Sequence, residues 1–151
     1  MNDVNSEHRF LWTDQSGVLY TNWAKGHPSG SNVYAHDDDT DCVALKAGTV
    51  MDAGTWIEED CDQDKGYICQ KPKDPTLHFV PTVAAAPRQL EFGDATYTFQ
   101  KTKMKWDEAR RMCKNSDSEL VSILEEYTAS FLRVQLNKFK EPFWIGLNSN
   151  K

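Results

Sequence analysis

The chain has 151 residues, of which 39% are hydrophobic and 11% aromatic, so it can bury a core and is not a disordered chain. No apolar run approaches the roughly 20 residues of a membrane-spanning helix, and we expect no membrane contact by this segment. The net charge of −6 is uneven, because residues 1–70 carry 13 acidic and four basic side chains. This acidic half is a poor surface for nucleic acid, whose phosphates are neutralised by cationic side chains.

The first half of the chain reads as short strands around one long loop. Residues 10–23 alternate aromatic and β-branched residues around a turn, which indicates strands or an ordered loop edge. Residues 24–41 contain glycine, proline and acidic residues without periodicity, and loops of this length in compact domains usually have a function. Short strands are predicted at 42–45, 55–57 and 66–69.

A proline-rich segment divides the chain. Residues 71–89 hold four of the six prolines, and proline fixes φ and removes a hydrogen-bond donor. The segment therefore predicts an extended linker without secondary structure. We place one domain segment at 1–70, a linker at 71–95 and a second domain segment at 96–151.

The last third of the chain predicts a strand and two helices. The strand is expected at 97–99, and the residues from Trp106 to Cys113 have helical spacing with acidic residues in the first turn. Ser122 and Glu125 have the spacing of a capping box at the start of a second helix. The side chains available for its buried face are Leu124, Tyr127, Phe131, Val134 and Leu136.

Several segments of the chain carry motifs of one kind of domain. They are the segments 144–148, 120–123 and 41–43, together with Cys61 and Cys69 separated by seven residues. All of these motifs resemble C-type lectin-like domains. The segments 10–14, 20–23 and 66–70 are more closely similar to the macrophage mannose receptor group, whose members carry many such domains in tandem. The resemblance implies an α+β fold with two helices, small antiparallel sheets and a long loop.

The motifs occur in an unusual order, since those of the second half of a domain precede those of the first half. We therefore expect a piece of a tandem array, with residues 1–70 ending one domain and residues 96–151 beginning the next. The start of the chain also resembles a continuation of its end, with Met1-Asn2 in phase with Leu147-Asn148. Either the two halves pack together as a circularly permuted domain, or they remain incomplete on a tether.

The resemblance implies the disulfides. Cys42 and Cys61 correspond to the pair that flanks the loop, and Cys69 and Cys113 correspond to cysteines of the last strand and the first helix. The latter two have partners outside the chain, or pair with each other if the domain is permuted. Zinc is not expected, because there is no Cys-x2-Cys pair and no histidine at ligand spacing.

The resemblance also implies where sugar-binding members hold calcium, and all five corresponding positions are changed. The family uses a Glu-Pro-Asn or Gln-Pro-Asp triplet, a glutamate before the loop cysteine, and an Asn-Asp pair. The corresponding positions here are His27, Ser29, Thr40, Ile57 and Glu58. We therefore expect no cofactor; the alternative is a calcium ion at Asp41, which matches an acidic position used by a second calcium in the family.

The leading interpretation is a fragment of a multi-domain endocytic receptor ectodomain that serves as a spacer or protein-interaction module. The alternative is a calcium-dependent, mannose-type lectin domain. Phosphate loops and common hydrolase motifs are absent from the sequence, so we expect no enzyme. The expected partners are neighbouring lectin-like domains, with glycoprotein ligands bound through other domains, in the extracellular part of a cell-surface or endosomal single-pass receptor.

Overall fold

The structure is a computed structural model that describes residues 10–28, 42–48, 51–73, 76 and 88–149. Within these ranges, neither helix is long and apolar enough to cross a membrane. The secondary-structure elements, in chain order, are β1 (Phe10–Trp12), β2 (Cys42–Leu45), β3 (Trp56–Glu59), β4 (Lys65–Pro72), β5 (Arg88–Phe92), β6 (Ala95–Met104), α1 (Trp106–Lys114), β7 (Glu119–Leu120), α2 (Glu126–Leu136) and β8 (Phe143–Ser149). Two helices with a mostly antiparallel sheet confirm the expected α+β class.

The sheet interleaves strands from the two halves of the chain. Its main path runs β3-β2-β8-β4-β6-β5, while β1 pairs with β8 and β7 pairs with β4. The last strand, β8, is antiparallel to β1 and β2 and parallel to β4, so strands of the first half surround it. The long antiparallel pair of β4 and β6 also joins the two halves. The strands β1 to β4 of the first half and β5 to β8 of the rest therefore build one sheet.

The core is likewise shared between the two halves. Trp12, Trp56 and Ile68 pack in one buried cluster with Phe99 and Leu132, and each of them is at most 2% exposed. Burial of such side chains stabilises the fold by about 1.5–3 kcal/mol each. This shared burial gives each half a large apolar contact with the other.

Two buried indoles hold α1 and β8 in place. The Trp106 Nε1 donates to the carbonyl oxygen of Ile145 at 2.8 Å, and the Trp144 Nε1 donates to that of Met104 at 3.0 Å. Gly146 follows Ile145 in β8, and a Cβ at this position would come within 2.8 Å of the Leu120 carbonyl oxygen. Glycine is required there because the backbones of neighbouring segments approach closely.

Two disulfides are formed. Cys42 and Cys61 are bonded with Cα atoms 5.1 Å apart, and Cys69 and Cys113 are bonded with Cα atoms 5.5 Å apart. The second bond links β4 of the first half to α1 of the second half. Cys69 and Cys113 are thus bonded to each other in this structure, which is one of the two arrangements that the resemblance left open.

One strand lies inside the segment 71–95, where we expected only a linker. β5 forms an antiparallel hairpin with β6, in which Leu90 pairs with Tyr97 and Phe92 pairs with Ala95. The two-residue turn between the strands is Gly93-Asp94, and Gly93 has a φ of 57°. The last proline of the segment is Pro87, so a hairpin with a glycine turn can form immediately after it. The expectation of a structureless linker up to residue 95 is wrong for this part.

The buried face of α2 agrees only in part with the expected one. Leu136 is fully buried and Phe131 packs against the core, as expected. Tyr127 and Val134 are 75% and 58% exposed, and Leu132, which was not on the expected face, is fully buried. The helix begins at Glu126 with Glu125 as its N-cap, and no side chain caps it. The expected capping box, with Ser122 as N-cap, therefore does not form, and the N-cap lies three positions later at Glu125.

Candidate functional site

The candidate site contains His27 and Glu58, two of the five positions that correspond to calcium ligands. The segment before His27 runs along β3, where the Trp56 N–H donates to the Asn22 carbonyl oxygen at 2.8 Å and the Ala24 N–H donates to the Trp56 carbonyl oxygen at 2.9 Å. A turn follows, in which the His27 N–H donates to the Ala24 carbonyl oxygen at 3.0 Å. These bonds place the imidazole beside the carboxyl half of β3.

The two side chains are in contact. The Glu58 backbone N–H donates to His27 Nδ1 at 3.4 Å, and the same nitrogen lies 3.6 Å from Glu58 Oε2. The Glu58 side chain is 5% exposed and that of His27 is 30% exposed. The peptide bond that joins His27 to Pro28 is cis.

The remaining positions contribute differently. Ile57 is partly buried and packs against the second buried cluster, which includes Trp106 and Trp144. Ser29, Thr40 and Asp41 lie outside the described residues, so the calcium alternative at Asp41 stays a prediction. Among the described residues, no three His, Cys, Asp or Glu side chains are grouped as a metal site would need.

A cluster of aromatic rings underlies this site. Trp56 contacts Trp12 and Trp23, each with ring centroids 5.5 Å apart, and Tyr20 at 6.0 Å. Trp12 and Trp56 are buried and Trp23 is half-buried, so these rings support the strands and do not form an open stacking platform. Burial raises the pKa of Tyr20, and the Glu126 carboxylate adds to this effect.

The sequence model described as "Lectin C-type domain" matches residues 1–71 and 102–151, which is most of the chain. The chain belongs to the C-type lectin family. Among curated relatives, C-type mannose receptor 2 of Rattus norvegicus is 32% identical over 151 residues, covering 97% of this chain and 10% of the relative. Secretory phospholipase A2 receptor of Homo sapiens is 32% identical over 144 residues, covering 90% of this chain and 10% of the relative.

This C-type lectin chain therefore spans about a tenth of the length of these relatives. The similarity to C-type mannose receptor 2 confirms the resemblance to the mannose receptor group. No solved structure gives a significant match.

Sequence reasoning identified His27 and Glu58 separately and missed their contact. The two residues are 31 positions apart, and only the pairing of residues 22–24 with β3 brings them together.

Sequence reasoning also missed an acidic groove beside the β5–β6 hairpin. No single motif indicates that groove, because its walls come from separate segments of the chain.

Proposed function

We propose that this chain is a piece of a multi-domain endocytic C-type lectin receptor ectodomain that has lost the calcium and sugar ligands. It serves as a spacer or protein-interaction module and is not an enzyme. In the intact receptor, residues 1–70 end one lectin-like domain, residues 71–95 include the connection, and residues 96–151 begin the next domain. In this chain alone, the two segments share one sheet and one buried core. The first observation behind this division is that the family match is split into 1–71 and 102–151.

The receptor role rests on the relatives and on the cysteines. Both relatives are named as receptors, and each is about ten times as long as the aligned segment. Two disulfides suit an oxidising compartment, since cytosolic proteins rarely keep them. The segment therefore belongs to the extracellular part of a cell-surface or endosomal single-pass receptor. Its nearest partners are neighbouring lectin-like domains, and glycoprotein ligands bind through other domains.

The observation that carries the loss of calcium binding is the contact of His27 with Glu58. Calcium prefers six to eight oxygen ligands, several of them charged, to replace its hydration shell. Here one position offers an imidazole nitrogen that already accepts a hydrogen bond, and Ile57 offers no donor. Ser29 and Thr40 would add only neutral hydroxyl groups. Glu58 is the one carboxylate in the set, which is too little for tight binding.

The second candidate function is calcium-dependent binding of mannose-type sugars. The word "mannose" in the name of one relative and the retained carboxylate of Glu58 favour it. It requires that both calcium and sugar bind to this chain.

Isothermal titration calorimetry with CaCl₂, followed by methyl α-mannoside, separates the two functions. A chain that restores the family ligands is the positive control, with the substitutions His27→Glu, Ser29→Asn, Thr40→Glu, Ile57→Asn and Glu58→Asp. We expect the unchanged chain to bind neither ligand with a submillimolar Kd, whereas the restored chain gains calcium affinity. Calcium-dependent mannoside binding by the unchanged chain would overturn the proposal in favour of the second function.

A further inference from the structure

A groove of about 840 Å³ lies beside the β5–β6 hairpin. It is bounded by the hairpin turn, the ends of β4 and β7, and the residues that precede α2. We call it the hairpin groove. It shares no lining residue with the His27–Glu58 site. Its volume falls within the roughly 300–1,000 Å³ of typical ligand sites.

The floor of the hairpin groove is apolar and firmly held. Tyr97 and Leu120 are buried, at 3% and 0% exposed. Phe92 stacks on Phe131 with ring centroids 4.5 Å apart, and Phe131 also contacts Tyr97 at 5.3 Å. Leu124 is 39% exposed at the edge of the groove. An apolar side chain inserted here would meet a preformed surface.

The charges around this floor are strongly biased toward acid. Five carboxylates and only one ammonium group line the groove, and they belong to Asp14, Asp94, Asp117, Glu119, Glu125 and Lys71. Glu119 is already paired, since Lys114 Nζ lies 3.3 Å from its Oε1. Four carboxylates thus remain against the single ammonium of Lys71 among the lining residues.

Local hydrogen bonds fix the positions of two of these carboxylates, those of Asp14 and Glu125, at the edge of the groove. Partial burial acts to raise the pKa of Asp14, but hydrogen bonds from the hydroxyl and the backbone N–H of Ser16 outweigh it and lower that pKa. The Thr128 hydroxyl donates to Glu125 Oε1 at 3.3 Å. Fixed carboxylates bordering an apolar, low-dielectric surface attract cations more strongly than carboxylates in open water.

We propose that the hairpin groove binds a partner protein segment in which lysine or arginine residues flank an apolar side chain. The apolar side chain would contact the floor formed by Tyr97 and Phe92, and the cations would meet the carboxylates around it. Nucleic acids and anionic lipid surfaces are disfavoured, because their phosphates would face the same carboxylates. The inference rests on the proposed protein-interaction role and names the chemistry of the partner.

The probe is a fluorescein-labelled peptide in which lysine or arginine alternates with leucine or phenylalanine. Two control peptides keep its length, one with glutamate in place of the bases and one with serine in place of the apolar residues. Binding is followed by fluorescence anisotropy on the full chain at about 50 mM and about 500 mM NaCl. We expect the probe to bind saturably and the two control peptides not to bind. The affinity of the probe should fall at the higher salt concentration. Equal binding of the serine peptide would overturn the role of the floor.

Matched variants test the location of binding. The groove variant removes three carboxylates: Asp94→Asn, Asp117→Asn and Glu125→Gln. The control variant removes three exposed carboxylates outside the groove: Asp52→Asn, Asp64→Asn and Glu141→Gln. Asp117 has a φ of 51°, a conformation that asparagine tolerates, and circular dichroism checks that both variants fold.

We expect the groove variant to weaken probe binding about tenfold and the control variant less than about twofold, as screened single charges contribute modestly. Equal losses in the two variants would show general attraction to an acidic protein and would overturn the proposal. Sedimentation velocity that shows a dimer sensitive to the groove variant would assign the groove to a second copy instead. If the chain binds neither calcium nor the probe, binding at the hairpin groove is refuted and the proposed function stands. If the chain binds mannoside in a calcium-dependent way, the proposed function is refuted and binding at the groove is not.

Discussion

The disulfide between Cys69 and Cys113 connects the two halves of the domain, and its removal tests how much the connection stabilises the fold. Replacing both residues by alanine, Cys69→Ala with Cys113→Ala, avoids leaving a free thiol. The matched control is Cys42→Ala with Cys61→Ala, which removes a bridge within the first half. Both variants keep the interleaved strands and the shared core.

The expected loss follows from the length of chain that each bond closes. The sequence separation is 44 for Cys69–Cys113 and 19 for Cys42–Cys61. In the chain-entropy account these loops correspond to about 4 and about 3 kcal/mol of stability. Cys69 and Cys113 are also buried, so the smaller alanine side chains leave a void that adds to the loss. For a domain of this length, about 4 kcal/mol lowers the midpoint of thermal unfolding by about 8–16 °C.

Guanidinium denaturation followed by tryptophan fluorescence and by far-ultraviolet circular dichroism measures this effect. We expect one cooperative transition with coincident probes in the unchanged chain and in both variants, because residues of both halves share one core. Two separated transitions in the unchanged chain would refute the single shared core. A loss below about 1 kcal/mol for the Cys69–Cys113 variant would refute the entropic argument for the bond between the halves.

Three further predictions concern packing and pH. Gly146→Ala places a Cβ within 2.8 Å of a backbone oxygen, so thermal unfolding should show a loss of stability of about 1–3 kcal/mol. The control is Gly17→Ala, which should lose little stability because a Cβ at residue 17 lies 3.9 Å from its nearest neighbour. Equal losses in the two variants would contradict the close packing at Gly146. Leu132→Ala should lower the free energy of unfolding in urea by about 2–5 kcal/mol and Val134→Ala by less than about 1 kcal/mol. The reverse order would mean that α2 buries the side that carries Val134, as expected from the sequence. Asp14 has a lowered pKa in the folded state, so its stabilising effect is present above its ordinary value of 3.8 and disappears as the pH falls through the folded-state value. Asp14→Ala should therefore lower the unfolding midpoint more at pH 7 than in acid, and a larger effect in acid would refute the sign.

Much of the fold could be predicted because its motifs are local. The strand at 42–45, the helix from Trp106 and the cysteine pattern each follow from residues close together in the sequence. The hairpin of β5 and β6 was missed because the prolines before it dominate the composition of the segment. The short Gly93-Asp94 turn between alternating apolar residues was the signal that could have revealed it.

The face of α2 could not be predicted from its apolar residues alone. The helix offers Tyr127, Phe131 and Val134 on one side and Leu132 and Leu136 on another, so its pattern fits more than one orientation. Packing against the rest of the core selects the side that carries Leu132. The hairpin groove was equally beyond sequence reasoning, since its walls meet only after β4, β6 and β7 have paired.

The measurement that tests the central claim most directly is the thermal unfolding midpoint with and without 1 mM CaCl₂. A site with a millimolar Kd would add only about 0.4 kcal/mol, because stabilisation follows RT ln(1 + [L]/Kd). That corresponds to a rise of about 1–2 °C for a domain of this size. The account therefore predicts a shift of no more than about 2 °C, and a rise above about 5 °C would contradict the loss of the calcium ligands.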